Sequence, residues 1–164
     1  MSDSGRIDRK RRRLLVAAGG VIATAGTKVA MADSGNGLDL SFGQKPKHFI
    51  VYQLNQPNRD YQTHILHSAQ ALLQHYGNSV RIVVTCFGPG ISVVLKKPIR
   101  PVARSIRENV ASLHDYGNEF HGCGNTLKTM HLPRSALLPF VKWVPMGAAD
   151  LMELQHQGYA YIAW

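Results

Sequence analysis

Apolar residues along the chain form two kinds of run that alternate. One kind is short and almost continuous, and its β-branched and aromatic residues are typical of strands buried on both faces of a parallel sheet. In the other kind, apolar residues recur every three or four positions, which is typical of a helix with one buried face. The strand-like runs are 48–54, 79–87, 118–122, 141–144 and 159–164, and the helix-like runs are 61–76, 101–116, 126–131 and 148–157. The apolar stripe predicted for the last helix is Ala148, Leu151, Met152 and Gln155.

The order β-α-β-α-β-α-β-α-β predicts a single three-layer α/β domain with a mostly parallel five-stranded sheet and helices on both faces. If the topology is flavodoxin-like, the strands lie in the order 2-1-3-4-5. Ligands of such sheets bind beyond the carboxyl ends of the strands. We therefore expect a site among the four loops that follow strands at that edge, which are 55–60, 88–90, 122–125 and 145–147.

The N-terminal residues have the three-part layout of an export signal. The twin arginine Arg11-Arg12 is followed by one spacer and two leucines, and a modestly apolar run extends over 14–25. Ala30 and Ala32 supply the small residues that a signal peptidase reads. The pattern predicts a cleaved twin-arginine signal at 1–32 and a periplasmic protein with no stable membrane insertion after cleavage. An uncleaved anchor is the alternative, although the run is shorter than the ~20 residues of a spanning helix.

Cleavage of this leader lowers the basic excess of the chain. Seven of the 19 Lys and Arg and two of the 10 acidic residues lie in 1–32, which leaves 12 basic and 8 acidic residues. This mild surplus has no clustered stripe, so no nucleic-acid partner is expected. Residues 33–46 lack periodicity and are predicted to be a linker or N-terminal arm. Residues 47–164 are long enough for one domain with one core.

One of the two cysteines, Cys123, lies between Gly122 and Gly124, after a predicted strand and before a predicted helix. Backbone N–H groups and the helix dipole at such a turn favour thiolate over thiol, and the glycines let the backbone bend around an uncrowded sulfur. His121 precedes Cys123 by two residues, so both side chains can share a strand face and the imidazole can favour the thiolate further. The alternative is a buried structural cysteine, since free cysteine is among the most buried residue types.

A disulfide between Cys86 and Cys123 has to be weighed, because the predicted compartment is oxidising. In the strand order 2-1-3-4-5, the first strand separates the two strands that end near these cysteines. Two strand spacings then place them ~9–10 Å apart. A disulfide needs α-carbons within about 7 Å, so no bridge is expected, and Cys86 is expected to be buried and inert.

Other chemistry has little support in the sequence. The chain has eight histidines, but no C-x-x-C or H-E-x-x-H spacing occurs, so neither a metal site nor a cofactor is predicted. The glycine patterns that bind phosphate are absent, and so is the G-x-S-x-G motif of serine hydrolases. Hydrolase and nucleotide-dependent activities are therefore not expected.

Two sequence blocks are specific, C-G-N-T-L at 123–127 and Q-x-x-G-Y-A-Y-I at 155–162. Weaker support comes from F-G-P-G at 87–90 and V-P-M-G at 144–147. With these blocks, residues 47–164 resemble the DsrE/DsrF-like family of small sulfur-relay proteins. The resemblance implies a five-stranded α/β domain of DsrEFH-like topology. It also implies assembly into trimers or hexamers, often of identical chains.

The resemblance further implies that Cys123 can carry sulfur as a persulfide. We expect Cys123 to be the acceptor nucleophile, with His121 and the N–H groups of Gly124 and Asn125 stabilising its thiolate. The partner would be a sulfur donor or acceptor protein or a small sulfur compound, and the activity at most persulfide transfer. The second hypothesis is a non-enzymatic oligomeric module that binds a small ligand or metal, with a structural Cys123. Further binding residues expected at this edge are Thr126, Asn55, Gly88 and Gly90.

Overall fold

A computed structural model of the protein describes residues 45–164, so the predicted export signal and nearly all of the predicted linker lie outside the described residues. Each of the nine predicted runs coincides with one element. The strands are β1 His48–Leu54, β2 Val80–Cys86, β3 Glu119–Cys123, β4 Lys142–Val144 and β5 Ala160–Ile162. The helices are α1 Arg59–Tyr76, α2 Arg104–Asp115, α3 Gly124–Thr129 and α4 Gly147–His156, and the 3-10 segments are Gly77–Ser79, Gly88–Val94 and Arg134–Ala136.

All five strands are parallel, in the order β4-β3-β2-β1-β5. This confirms the α/β domain with a five-stranded parallel sheet, whereas the order 2-1-3-4-5 was wrong. The chain places β2, β3 and β4 successively on one side of β1 and then returns to place β5 on the other side. Because such crossovers are right-handed, this order sends α1, α2 and α3 to one face of the sheet and α4 to the other.

The two faces of the sheet carry clusters of unequal size. On the face of α1 and α2, the three central strands contribute Tyr52, Ile82 and Phe120, which are among the largest fully buried side chains. On the opposite face, α4 covers a smaller apolar cluster. Its buried members are Val51, Val83, Leu151 and Leu154. No helix within residues 45–164 combines the length and the apolarity needed to cross a membrane.

Helix α4 is rotated relative to the predicted stripe. Only Leu151 of that stripe is buried, and Met152 is 50% exposed. Each buried position lies one residue earlier than predicted, and the i, i+3, i+4, i+7 spacing is kept. The polar Asp150 faces the sheet, whereas Met152, which was predicted to be buried, faces away from it. The residues on the sheet-facing side of α4 are Gly147, Asp150, Leu151 and Leu154.

Candidate functional site

Cys123 occupies the strand-to-helix turn that the sequence predicted. It is the last residue of β3 and the N-cap of α3. Its sulfur accepts the N–H of Thr126 at 3.4 Å and the N–H of Gly147 at 3.2 Å. Thr126 lies in the first turn of α3, and Gly147 is the first residue of α4. The sulfur therefore lies at the N-termini of two helices, where partial positive charge favours an anion.

The donors to this sulfur differ from the predicted pair. The N–H of Asn125 donates instead to the Pro145 carbonyl at 3.0 Å, and within residues 45–164 Gly124 makes no hydrogen bond to Sγ. One of the two donors, Gly147, is 24 residues away along the chain, so local spacing could not reveal it. The prediction of backbone donors at the sulfur holds, but their identities were wrong.

The two glycines beside Cys123 serve close packing, and neither has a positive φ. A β-carbon on Gly122 would lie 2.7 Å from the Leu137 side chain, and one on Gly124 would lie 2.7 Å from the Trp143 ring. These neighbours approach the backbone from β4 and from the segment before it. The sequence predicted that these glycines let the backbone bend around Cys123. The structure shows instead that neither position has space for a side chain.

Cys86 and Cys123 are free thiols that project from opposite faces of the sheet. Strands β2 and β3 are neighbours, and Cys86 is the register partner of Gly122. The predicted separation by an intervening strand was therefore wrong. The absence of a bridge follows from side-chain direction, because adjacent residues on a strand point to opposite faces. Burial raises the pKa of the Cys86 thiol far above its usual value, which makes this cysteine unreactive.

A buried polar cluster lies on the same sheet face as Cys123. Asp150 of α4 is bonded to His121 Nδ1 at 2.8 Å, and Thr85 Oγ1 donates to Asp150 Oδ2 at 2.7 Å. His121 Nε2 lies 3.4 Å from Glu119, which also pairs with Arg81 at the surface. The cluster thus extends from the partly exposed Arg81–Glu119 pair to the buried Asp150 in the first turn of α4.

The cluster holds two carboxylates in their charged form. Burial alone would raise the pKa of Asp150, but hydrogen bonds from His121 and Thr85 outweigh it and keep that pKa below the usual value. For Glu119, burial is likewise outweighed, in this case by the hydrogen bond and charge of Arg81, and the pKa is again lowered. Asp150 was not among the site residues predicted from the sequence. It lies one residue before Leu151 and four before Leu154, a spacing that places it on the buried stripe of α4.

His121 and Cys123 alternate with Gly122 along β3 and share a face, as predicted. Both ring nitrogens of His121 nevertheless have carboxylate partners, Asp150 on Nδ1 and Glu119 on Nε2. A Cys-His-Asp hydrolase needs the second ring nitrogen of the histidine to face the sulfur. Because Nε2 is directed at Glu119 instead, the arrangement does not form such a triad.

The remaining residues predicted to bind a ligand are brought together at the carboxyl edge of the sheet. The Gly88 N–H donates to Thr126 Oγ1 at 2.9 Å, which ties the loop after β2 to α3. Gly90 packs so tightly beneath the loop after β1 that a β-carbon would lie 2.5 Å from the Leu54 carbonyl oxygen. In that loop, the Asn55 side chain accepts from the Tyr61 hydroxyl at 3.0 Å. Whether these residues bind a ligand stays a prediction.

Within residues 45–164, no three His, Cys, Asp or Glu side chains are arranged to hold a metal ion. A cleft of about 380 Å³ lies between the C-terminal halves of α1 and α2, at the opposite edge of the sheet, and includes Leu73, Gly77 and Tyr116. The groups that the structure places at Cys123 are the thiol and its two backbone hydrogen-bond donors.

Comparison with known proteins places the chain among small α/β proteins. Residues 47–164 match the DsrE/DsrF-like family, and no curated protein matches the chain. The solved structure of MTH1491, a protein of unknown function from Methanobacterium thermoautotrophicum, is similar with a TM-score of 0.64 at 23% identity, covering 71% of this chain and 99% of that one. The ychN protein from E. coli is similar with a TM-score of 0.53 at 11% identity, covering 71% and 99%. At these identities the similarity shows a shared fold.

Proposed function

The chain belongs to the DsrE/DsrF-like family, and on that premise we propose that it is a sulfur carrier that holds sulfur as a persulfide on Cys123. The observation that carries the proposal is the pair of N–H groups, from Thr126 and Gly147, that converge on the Cys123 sulfur. Hydrogen bonds to an anionic acceptor are stronger than those to a neutral one, so this arrangement favours a thiolate, and equally an anionic persulfide.

The loading step needs no external oxidant or reductant. The Cys123 thiolate attacks the outer sulfur of a donor persulfide, R–S–SH, and a new S–S bond forms on Cys123. The S–S bond of the donor breaks, its electron pair leaves with the inner sulfur as R–S⁻, and the proton stays on the transferred sulfur. The reverse reaction passes the sulfur to an acceptor thiolate.

Burial of the sulfur suits a carrier in an oxidising compartment. Cys123 is only 4% exposed, so solvent oxidants have little access to it. Gly147 supplies one donor to the sulfur, and the adjacent Met146 is 47% exposed. A sulfur donor would therefore approach Sγ from the side of the exposed Met146.

The test is sulfur loading followed by intact-mass measurement. Reduced protein is incubated with glutathione persulfide, and the expected result is the gain of one sulfur atom by the wild type and by Cys86→Ala. Cys123→Ser should gain none. A wild type that gains no sulfur, or a Cys123→Ser variant that gains as much as the wild type, would refute the proposal.

Export and assembly belong to the same proposal. Residues 1–32 direct the chain through the twin-arginine route to the periplasm, and the exported domain assembles into trimers or hexamers that exchange sulfur with a thiol-bearing protein or small compound. Protein recovered from the periplasm should begin at Asp33, and replacing Arg11 and Arg12 by lysine should block export. Native mass spectrometry of the mature protein should give three or six chains, and a monomer would contradict the assembly.

A second candidate function is a non-enzymatic oligomeric module that binds a small ligand or metal. It is favoured by the position of Cys123, whose sulfur accepts hydrogen bonds from the first turns of two helices and is hardly exposed. Under this function, Cys123→Ser keeps assembly and ligand uptake, because serine is a good N-cap. Metal analysis of protein purified from the periplasm separates the candidates, since a stoichiometric metal favours the module.

A further inference from the structure

The first turn of α4 is attached to the sheet by a hydrogen bond to a sulfur and by a buried carboxylate. Its N-cap residue, Met146, makes no side-chain capping hydrogen bond, yet the following N–H, that of Gly147, is the one that reaches Cys123 Sγ. One turn later, Asp150 is fixed by Thr85 of β2 and His121 of β3. The sulfur and this carboxylate are thus the two polar attachments of the first turn of α4 to the sheet among residues 45–164.

We infer that Asp150 is a positioning residue for Cys123, because its hydrogen bonds to Thr85 and His121 fix the first turn of α4 with the Gly147 N–H directed at Sγ. The inference rests on the proposed function in that it concerns the reactivity of the same thiol. It also changes the role of His121. The sequence predicted that His121 stabilises the thiolate directly, whereas here it would affect the sulfur through Asp150 and α4.

The frame that holds Asp150 is rigid. Thr85 and His121 are register partners on adjacent central strands, and their exposures are 0% and 1%. Asp150 therefore bridges two strands that cannot move apart without breaking the sheet. The Gly147 N to Cys123 Sγ distance is 3.2 Å, and a displacement of about 1 Å would take it outside hydrogen-bond range.

The charges around Asp150 allow two explanations to be distinguished by the direction in which the midpoint of thiolate formation at Cys123 shifts. Facing the carboxylate are His121 and, farther along β3, Glu119, with Arg81 of β2 paired to Glu119 and Lys142 of β4 acting on Asp150 through its charge. Removing a negative charge from this neighbourhood would by itself favour a thiolate. Loosening the first turn of α4 would withdraw a donor and disfavour it. The two explanations thus predict shifts of opposite direction.

The experiment follows thiolate formation at Cys123 by ultraviolet absorbance as a function of pH, with Cys123→Ser as the blank. Asp150→Asn removes the charge, and Thr85→Val removes one of the hydrogen bonds but keeps the charge. Glu153→Gln makes the same type of change as Asp150→Asn on the exposed side of α4 and is the control. We expect the midpoint of thiolate formation to rise by about one pH unit in Asp150→Asn, so that about tenfold less thiolate is present at a pH below the midpoint.

Thr85→Val should shift the midpoint in the same direction, and Glu153→Gln should leave it at the wild-type value. An unchanged or lower midpoint in Asp150→Asn overturns the inference, and so does an unchanged midpoint in Thr85→Val. Lower thermal stability with an unmoved midpoint would mean that Asp150 is merely structural. If Asp150→Asn does not fold, Thr85→Val alone decides.

Sulfur loading of the same variants, measured by mass, keeps the inference separate from the proposed function. If the wild type takes up no sulfur but the midpoint shifts, the proposed function fails and the positioning role stands. If the wild type is loaded and the midpoint stays fixed in both variants, the positioning role fails and the carrier function stands.

Discussion

Replacing Asp150 by alanine is expected to cost about 2–6 kcal/mol of the free energy of unfolding, because two buried groups lose their hydrogen-bond partner. The structural basis is the loss of two hydrogen bonds inside the sheet–helix layer, to His121 Nδ1 and to Thr85 Oγ1. Both partners are essentially inaccessible to water, so each would be left buried and unsatisfied, at about 1–3 kcal/mol per group.

The assay is urea unfolding of wild type and variant at neutral pH, analysed by linear extrapolation. The matched control is Glu108→Ala, which removes a carboxylate from the exposed Arg104–Glu108 pair of α2, with side chains 93% and 60% exposed. An exposed i,i+4 pair contributes only about 0.3–0.5 kcal/mol, so the control should remain near the wild type. If Asp150→Ala lost less than about 1 kcal/mol, the buried polar cluster could not hold the first turn of α4 in the way inferred above.

The same variant has a distinct pH dependence. The pKa of Asp150 is lowered in the folded protein, so its carboxylate stabilises the fold fully above the unfolded value of about 3.9. That contribution is lost as the pH falls through the lower, folded pKa. The difference in stability between wild type and Asp150→Ala should therefore be constant from neutral pH down to about 4 and shrink below it. A difference that grew on acidification would contradict the assigned direction.

Other predictions concern the loops at the carboxyl edge and the second cysteine. Gly90→Ala places a β-carbon 2.5 Å from the Leu54 backbone oxygen and should lower the free energy of unfolding in urea by about 3 kcal/mol. The control is Gly117→Ala, which has open space but a φ of +86° and should cost only about 1 kcal/mol. Equal costs would mean that the loop moves aside. A thiol reagent at neutral pH should label Cys86 only after unfolding, as judged by peptide mass, and rapid native labelling would contradict its burial. Tyr61→Phe removes the hydroxyl that ties the loop after β1 to its helix and should cost about 1 kcal/mol; an unchanged unfolding midpoint would refute this.

The sequence predicted the elements and the place of the cysteine well, because both depend on local pattern. Continuous apolar runs identify the strands wherever both faces are buried, and Gly122-Cys123-Gly124 follows such a run directly. Local pattern also placed four loops at one edge, since strands joined by helical crossovers all end on the same side. These features require no knowledge of which strands are neighbours.

What the sequence did not reveal depends on contacts between distant segments. Predicting the strand order requires knowing on which side of β1 each crossover places the next strand. Both sides are compatible with right-handed crossovers. The second donor to Cys123 and the partner of His121, at Gly147 and Asp150, both come from α4, more than 20 residues later in the chain. A hydrophobic stripe alone favoured Met152 over Asp150 as the buried residue, because the pattern cannot register a carboxylate that is satisfied by the facing sheet.

The strand order β4-β3-β2-β1-β5 also has a consequence for the route of folding. Strands β1, β2 and β3 each pair with the strand that follows in sequence, whereas β5 pairs with β1. In that pairing Tyr52, near the start of the domain, is the register partner of Ile162, near its end. Contacts that span such a separation form late, since a long loop has to close first. The α4–β5 segment is therefore the part that docks last, and in native-state hydrogen exchange it should open at lower free energy than β2 and β3. The Gly147 donor to Cys123 would be released with it, so the reactive state of the thiol would be completed only in the final step of folding.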